Sequence, residues 1–237
     1  PSPNFNDRPA SINMLIIHYT DMPTAEEAMS KLCDPAAQVS SHYTIDEDGT
    51  IYRHVPEEKR AWHAGLSFWR NRSNTNDVSI GIEMVNPGHT CGYRPFKEKQ
   101  MEALIALSHG ILKRHVIPAR NVVAHSDVAP ARKKDPGELF DWEWLADEGI
   151  GLWPEVAEDI KFLPILKKGD KSDAVMEMQR ALASYGYDIK VDGNFHDQTE
   201  WVVRAFQRHF GGVGSMIDGM WNTHLDAALK NLLAQVS

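Results

Sequence analysis

The chain has few cysteines, no long apolar run and no excess of basic charge. Cys33 and Cys91 are too few for a disulfide framework, and the sequence leaves open whether they pair or remain free thiols. No apolar run approaches the ~20 residues of a membrane-spanning helix, so we expect no transmembrane segment. The net charge is −8 over 237 residues. Because no part of the chain has a basic excess, we also expect no nucleic-acid partner.

A targeting segment is also missing from the sequence. The chain begins Pro-Ser, without a charged segment followed by an apolar one as in a signal peptide. We therefore expect a processed product whose targeting segment has been removed.

The first part of the chain alternates strand and helix patterns, which predicts an α/β domain. An Asp-Gly pair within residues 46–50 predicts a hairpin between the second and third strands. The clearest helix covers residues 97–115, where apolar side chains recur at helical spacing. The predicted strands are 12–18, 42–45, 51–54, 78–85 and 121–124, and shorter helices are predicted at 24–32 and 142–147.

Glycine and proline at residues 149–164 predict a linker, and the pattern beyond it is wholly helical. We therefore predict a first domain over residues 1–154 and a small three-helix domain over 165–237. Asp197, with Glu200 three residues later, predicts a capping box. The pattern Asp-Gly, one variable residue, aromatic occurs twice, once before the second helix and once before the third. Both copies are interpreted as structural turns. The three helices are predicted at 172–185, 197–210 and 222–233.

Three separate residues form a candidate metal site: His18, His125 and Asp135. Each histidine ends a short apolar run that is typical of a buried strand, and a strand end holds a ligand rigidly. Asp135 lies in a loop rich in proline and glycine. Taken singly, each residue is better explained as a core histidine or a turn residue. Together, two imidazoles and a carboxylate are three of the four ligands of a catalytic zinc.

A metal-bound water requires a base, and the growing charge on the attacked carbonyl requires a positive partner. Glu83 is the candidate base, because it is the one acid in the strand-like run 79–85. The alternative is a solvent-facing residue on an edge strand. Lys133 is the candidate oxyanion partner, although with Arg132 and Lys134 beside it the trio, taken alone, is first interpreted as a solvated charge run. Spacing alone does not select Lys133 from its neighbours.

Three further residues are candidates for substrate contacts. Trp62 and His63 lie in a turn that ends with glycine and could form the edge of a cleft. Core packing and a capping role are their alternatives. Asn86 precedes Pro87 and could bind a peptide or acetamido group, although a turn role is usual for asparagine there.

Six phrases, read together in order, resemble the zinc N-acetylmuramoyl-L-alanine amidases of the AmpD type. The resemblance covers about the first 150 residues and is strongest to the periplasmic AmiD branch of that family. Residues 165–233 resemble the three-helix peptidoglycan-binding domain found in cell-wall hydrolases. The six phrases lie at residues 17–20, 40–44, 62–65, 80–83, 125–127 and 133–136.

The resemblance implies a peptidoglycan recognition protein-like fold, with a mixed central β-sheet flanked by helices. It also implies that His18, His125 and Asp135 bind one zinc ion. In the same way it implies that Glu83 is the base and Lys133 the oxyanion partner. One position departs from related phage and animal amidases, which have a catalytic tyrosine immediately before the histidine of the second strand. That position is Ser41 here, which places more weight on Glu83.

The expected function is zinc-dependent hydrolysis of the amide between N-acetylmuramic acid and L-alanine, in cell-wall turnover and recycling. The expected partners are peptidoglycan or muropeptides, and we expect a monomer. The expected location is the periplasm, with a lipid anchor to the outer membrane carried by an N-terminus absent from this chain. Two alternatives remain: a receptor that binds the wall without cutting it, and a cytoplasmic amidase that recycles anhydro-muropeptides.

Overall fold

The computed structural model describes residues 1–157, 159–160 and 162–237. A mixed β-sheet with helices forms the first part, and three helices form the second. The strands are β1 (Phe5–Asp7), β2 (Met14–Tyr19), β3 (Tyr43–Ile45), β4 (Ile51–Arg53), β5 (Lys59–Ala61), β6 (Phe68–Trp69), β7 (Arg72–Ser73), β8 (Ser79–Met84), β9 (Val122–Ala124), β10 (Pro164–Leu166) and β11 (Trp221–Asn222). The α-helices are α1 (Ala25–Cys33), α2 (Gly88–Cys91), α3 (Glu98–Arg114), α4 (His125–Val128), α5 (Trp142–Asp147), α6 (Asp173–Tyr185), α7 (Asp197–Phe210) and α8 (Thr223–Gln235).

The central sheet has five strands in the order β4-β3-β8-β2-β9. Strands β3, β8, β2 and β9 run parallel, and β4 is antiparallel to β3 through the predicted hairpin. The mixed sheet flanked by helices confirms the predicted fold class. Because the parallel strands point the same way, the carboxyl ends of β2, β8 and β9 meet at one edge, where ligands bind in open α/β sheets.

Alternate residues of β2 pack into two different cores, as the two-residue period of a strand requires. Leu15 and Ile17 pack with Leu104 of α3. Met14 and Ile16 belong to a second core, to which the C-terminal helices contribute most of the side chains. The three-helix part therefore covers one face of the sheet rather than hanging free from it.

The three C-terminal helices occur as predicted, and the two Asp-Gly turns have the structural role assigned to them. Gln179 of α6 accepts hydrogen bonds from the backbone of Gly193, at 2.9 Å. Gln207 of α7 does the same for Gly219, also at 2.9 Å. The aromatic residue that ends each turn is buried in the helical core; these residues are Phe195 and Trp221.

The predicted capping box at Asp197 is wrong. Helix α7 has His196 as its N-cap, without a side-chain cap bond, and Asp197 is the first helical residue. Glu200 instead accepts hydrogen bonds from Arg204, at 2.8 Å and 3.2 Å. The Glu200 carboxylate thus pairs with an arginine one helical turn later. The capping-box motif in the sequence does not indicate this pairing.

The predicted linker, 149–164, includes residues 158 and 161, which lie outside the described part of the chain. The domain boundary therefore stays a prediction. Strand β10, at the end of this segment, pairs with β11 in the helical part. Cys33 and Cys91 are both free thiols. Among the described residues, no helix combines the length and apolar character needed to cross a bilayer.

Glu57 joins the sheet to the end of α3 and makes stability depend on pH. Its buried carboxylate accepts hydrogen bonds from Tyr43, Arg114 and His115, at 2.7, 2.6 and 2.6 Å. Burial acts to raise the pKa of Glu57, but Arg114, Tyr43 and His115 outweigh it and lower the pKa to about 2. A lowered folded-state pKa adds stability above the ordinary value of 4.5, and this stability is lost as pH falls towards 2.

We therefore expect Glu57→Gln to lower the free energy of unfolding at pH 7 by about 1–3 kcal/mol, because one charged hydrogen-bonding group is lost. The difference from the wild type should shrink as pH falls below 4.5. Urea unfolding at several values between about pH 3 and pH 7, roughly the range over which carboxylates titrate, measures the loss of stability and its dependence on pH. The exposed neighbour in Glu58→Gln is the control. An equal loss of stability in the two variants would contradict the role of Glu57.

Candidate active site

His18, His125 and Asp135 come together at the carboxyl edge of the sheet, as predicted. His18 lies near the end of β2, and His125 begins α4 directly after β9. Their Nδ1 atoms are 2.8 Å apart. The Oδ2 atom of Asp135 lies 3.1 Å from Nδ1 of His18 and 2.9 Å from Nδ1 of His125. All three residues are buried.

This triangle of donor atoms fits a single zinc ion. Ligand atoms bound tetrahedrally at about 2.0–2.1 Å lie roughly 3.3 Å apart, close to the distances found here. Burial and the neighbouring His125 lower the pKa of His18 to about 4, so the imidazole is neutral, as a metal ligand must be. Burial acts to raise the pKa of Asp135, but His125 and His18 outweigh it and hold it well below its usual range. The neutral imidazole of His18 and the carboxylate of Asp135 are therefore available to a cation, and Nδ1 of His125 completes the triangle.

The second nitrogen of each histidine is also hydrogen-bonded, which orients the ring. Nε2 of His125 lies 3.1 Å from the carbonyl oxygen of Ala64 and can donate to it. Nε2 of His18 lies 3.0 Å from Nδ1 of His63, whose own Nε2 lies 3.2 Å from Oγ of Ser79. Gly81 leaves room for the His63 ring, which a Cβ atom there would overlap. Such outer partners fix the tautomer that presents Nδ1 to a metal.

Glu83 lies on β8, at the middle of the five-stranded sheet and not at its edge. It is paired in parallel register with His18, so both side chains point to the same face. Its Oε2 atom is buried without a hydrogen-bond partner. Burial and the neighbouring carboxylate of Asp135 raise the pKa of Glu83 well above its usual range. A half-buried carboxyl group at a cavity, with one buried and unpartnered oxygen, is typical of a residue that transfers protons rather than one that stabilises the fold.

The three adjacent cations around Lys133 differ in their surroundings. The guanidinium of Arg132 donates to the carbonyl oxygens of Ala64 and Leu66, and Lys134 is exposed. Lys133 is half-buried, and its charge is close enough to lower the pKa of Glu83 against the effects that raise it. Only the structure distinguishes the lysine beside the carboxyl group from the arginine that holds a loop.

All these groups line one open cavity of about 370 Å³. That size falls in the range of roughly 300–1,000 Å³ that is usual for small-molecule sites. Polar groups surround the metal-ligand triangle, and Trp62 provides an apolar wall. The arrangement combines a candidate metal site, a carboxyl group with a raised pKa and an ammonium group. These are the functional groups that hydrolysis of an acyl compound requires.

Residues 7–138 match the sequence model of a family described as N-acetylmuramoyl-L-alanine amidase. The chain belongs to this amidase family. Residues 171–213 match the model of a peptidoglycan binding domain. Both matches agree with the resemblance found in the sequence.

The similarity to individual members of the amidase family extends over most of the chain. The N-acetylmuramoyl-L-alanine amidase AmiD of Escherichia coli (strain K12) is 41% identical over an alignment of 211 residues that covers 84% of this chain and 75% of AmiD. A structure of E. coli AmiD with the substrate anhydro-N-acetylmuramic acid-L-Ala-D-gamma-Glu-L-Lys matches with a TM-score of 0.80 at 36% identity, covering 97% of this chain and 92% of that one. A structure of AmpDh3 from Pseudomonas aeruginosa with anhydromuramic pentapeptide matches with a TM-score of 0.77 at 28% identity, covering 100% and 95%.

The predicted substrate contacts of this amidase have different positions. Trp62 is half-buried, and its Nε1–H donates to Asn6, 2.9 Å away, while the ring lines the cavity. His63 also borders the cavity but is only 8% exposed, and it lies behind His18 as a hydrogen-bond partner. Asn86 is not among the residues that line the cavity: its amide nitrogen donates to the carbonyl of Arg94 and its amide oxygen accepts from the backbone N–H of Gly88, and its contact with substrate stays a prediction.

Ser41, where related phage and animal amidases have a catalytic tyrosine, contributes nothing to the cavity surface. Its side chain is fully buried, and its Oγ donates to the carbonyl oxygen of Tyr43 at 3.0 Å. The sequence did not reveal two other features of the site: the bonds from Arg132 to the loop after Trp62, and the chain from His18 through His63. The sequence did not distinguish Arg132 from the two lysines that follow it. For His63, nothing in the sequence beyond its position beside Trp62 indicated a role.

Proposed function

We propose that this chain is a zinc amidase that cleaves the amide bond between the lactyl group of N-acetylmuramic acid and the L-alanine of the stem peptide. One observation carries the proposal: the donor atoms of His18, His125 and Asp135 converge in the cavity that also contains Glu83 and Lys133. When bound there, zinc would lower the pKa of a water molecule to roughly 7 and polarise the scissile carbonyl.

The protein's own groups would move the protons. Glu83 shares a face with His18 and has a free carboxylate oxygen, so it can remove a proton from the attacking water. The same carboxyl group then returns the proton to the departing amine of L-alanine. Lys133 would stabilise the negative charge that develops on the carbonyl oxygen. The raised pKa of Glu83 suits this exchange, because the group must both accept and donate a proton.

We propose muropeptides, including those with an anhydro sugar, as substrates. The structures of AmiD and AmpDh3 with such ligands support this choice, because both match nearly the whole chain. Intact peptidoglycan is a second substrate form, supported by the match of residues 171–213 to a peptidoglycan binding domain. Because of this match we propose a periplasmic location, where the polymer is present. We also propose that the protein acts as a monomer.

The proposed reaction is tested by incubating the zinc-loaded chain with anhydro-muropeptides and, separately, with purified sacculi. We expect a free stem peptide that begins with L-alanine, identified by mass spectrometry. The sugar product should carry the lactyl carboxylate. Binding of sacculi without release of any peptide would instead indicate a receptor that does not cut. Release from soluble muropeptides alone would restrict the activity to recycling.

A further inference from the structure

The helical part of the chain bonds to Asp127 of α4, the short helix that begins with the candidate ligand His125. This residue lies two positions after His125, in α4, and is fully buried. Its Oδ2 accepts a hydrogen bond from the backbone N–H of Ala124, at 2.8 Å. It also accepts from Nδ1 of His209, at 2.6 Å, and its Oδ1 accepts from the hydroxyl of Tyr187, at 2.7 Å. Two of these three donors therefore come from beyond residue 165.

Both donors are held firmly by aromatic packing between the two parts of the chain. The His209 ring stacks between Trp142 and Phe210, with centroid distances of 3.8 and 3.9 Å. The Tyr187 ring makes an edge contact with Trp69, 5.0 Å away.

The backbone before Tyr187 lies against the same tryptophan. Gly186, at φ +150°, accepts a hydrogen bond from the backbone of Arg70 at 2.9 Å. A Cβ atom there would approach Trp69 to 2.9 Å, closer than side chains tolerate. The hydroxyl and imidazole donors are thus fixed in position relative to the sheet.

Helix α4 and the turn after it organise the candidate catalytic groups. His125 is the first residue of the helix, and the backbone N–H of Ser126 donates to the carbonyl of Asp135 at 3.0 Å. The carbonyl of Ala129 accepts from the backbone N–H of Lys133 at 3.1 Å. A displacement of α4 would therefore move two metal ligands and the lysine together.

We propose that Tyr187 and His209 are positioning residues for the metal centre, and that they act through Asp127 on helix α4. The inference rests on the proposed function, since it concerns the zinc site. A buried carboxylate that loses its donors is costly, so α4 would shift to bring Asp127 towards water. The helical part is in this way a component of the active site, in addition to any binding of the wall.

The test uses the full-length chain and measures the dissociation constant for zinc by competition with a chelator. We expect Tyr187→Phe, which removes only the hydroxyl donor, to weaken zinc binding about tenfold, the lower end of the loss that follows removal of a metal ligand's own hydrogen-bond partner. His209→Phe should weaken it at least as much. His209→Asn retains an N–H near the position of Nδ1 and should restore most of the affinity.

The matched control is Gln179→Ala, which removes buried hydrogen bonds within the helical part that do not involve α4. It should lower the melting temperature without changing zinc affinity. The inference is overturned if the wild type binds zinc while Tyr187→Phe and both His209 variants bind it equally well. If the wild type itself fails to bind zinc, the proposed function falls first, and this inference with it.

Discussion

Replacement of Glu83 by glutamine is expected to lower kcat for muropeptide hydrolysis by about 10²–10⁴-fold, the usual contribution of a positioned proton-transfer group. The amide has nearly the shape of the carboxyl group but cannot accept the proton of the attacking water. Because Glu83 Oε2 is buried and unpartnered, the substitution breaks no hydrogen bond at that atom, and the melting temperature should not fall. Zinc content should also be unchanged.

The control for this prediction is Glu47→Gln, the same chemical change at a carboxylate paired with Arg94 outside the catalytic cavity. Its kcat should equal that of the wild type. Steady-state kinetics with one defined anhydro-muropeptide, together with elemental analysis for zinc, separates a loss of proton transfer from a loss of metal. Full activity in the zinc-loaded Glu83→Gln protein would remove Glu83 from the proposed mechanism.

Removal of the metal is expected to have an even larger effect. Dialysis against a chelator should reduce the rate of muropeptide hydrolysis by more than about 10³-fold, because in the proposed mechanism the metal contributes several kcal/mol of transition-state stabilisation. One equivalent of zinc should restore the activity. The free energy of unfolding should also fall, because the ion binds the folded chain alone, and at a thousandfold excess over Kd this is worth about 4 kcal/mol.

Asp135→Asn tests the same site from the side of the protein, because a neutral amide is a poor substitute for the buried carboxylate. This variant should lose zinc and activity together. Asp77→Asn breaks an ion pair with Arg60 outside the cavity, and it should lose some stability while keeping zinc. Undiminished hydrolysis by metal-free protein, verified by elemental analysis, would exclude the zinc mechanism.

The local sequence predicted most of the fold because helices and strands depend on patterns within a few residues. The periodicity of residues 97–115 gave α3 almost to its ends, and the apolar run before His18 gave β2. The short edge pairs were missed, among them β6 with β7, because two-residue strands have no measurable period. The cap of α7 was misplaced by one residue, since the N-cap is His196, and Glu200 is paired with Arg204.

The candidate site was predicted in part, and the limits have physical causes. The phrases around His18, His125 and Asp135 suggested a shared metal, and the distances support it. Asn86 was assigned to the substrate on residue type, and only the structure shows that its amide group bonds to the backbone of Arg94 and Gly88.

The sequence by itself determined the family, the order of the main helices and strands and the residues able to bind a metal, because these follow from local patterns and distinctive phrases. Tertiary structure decided which face Glu83 occupies, which cation lies beside it, and how the helical part contacts the site. The bond between Asp127 and His209 joins residues 82 positions apart. Such contacts depend on how segments far apart in the chain pack against each other. The residues around Asp127 and those around His209 carry no local pattern that indicates this packing.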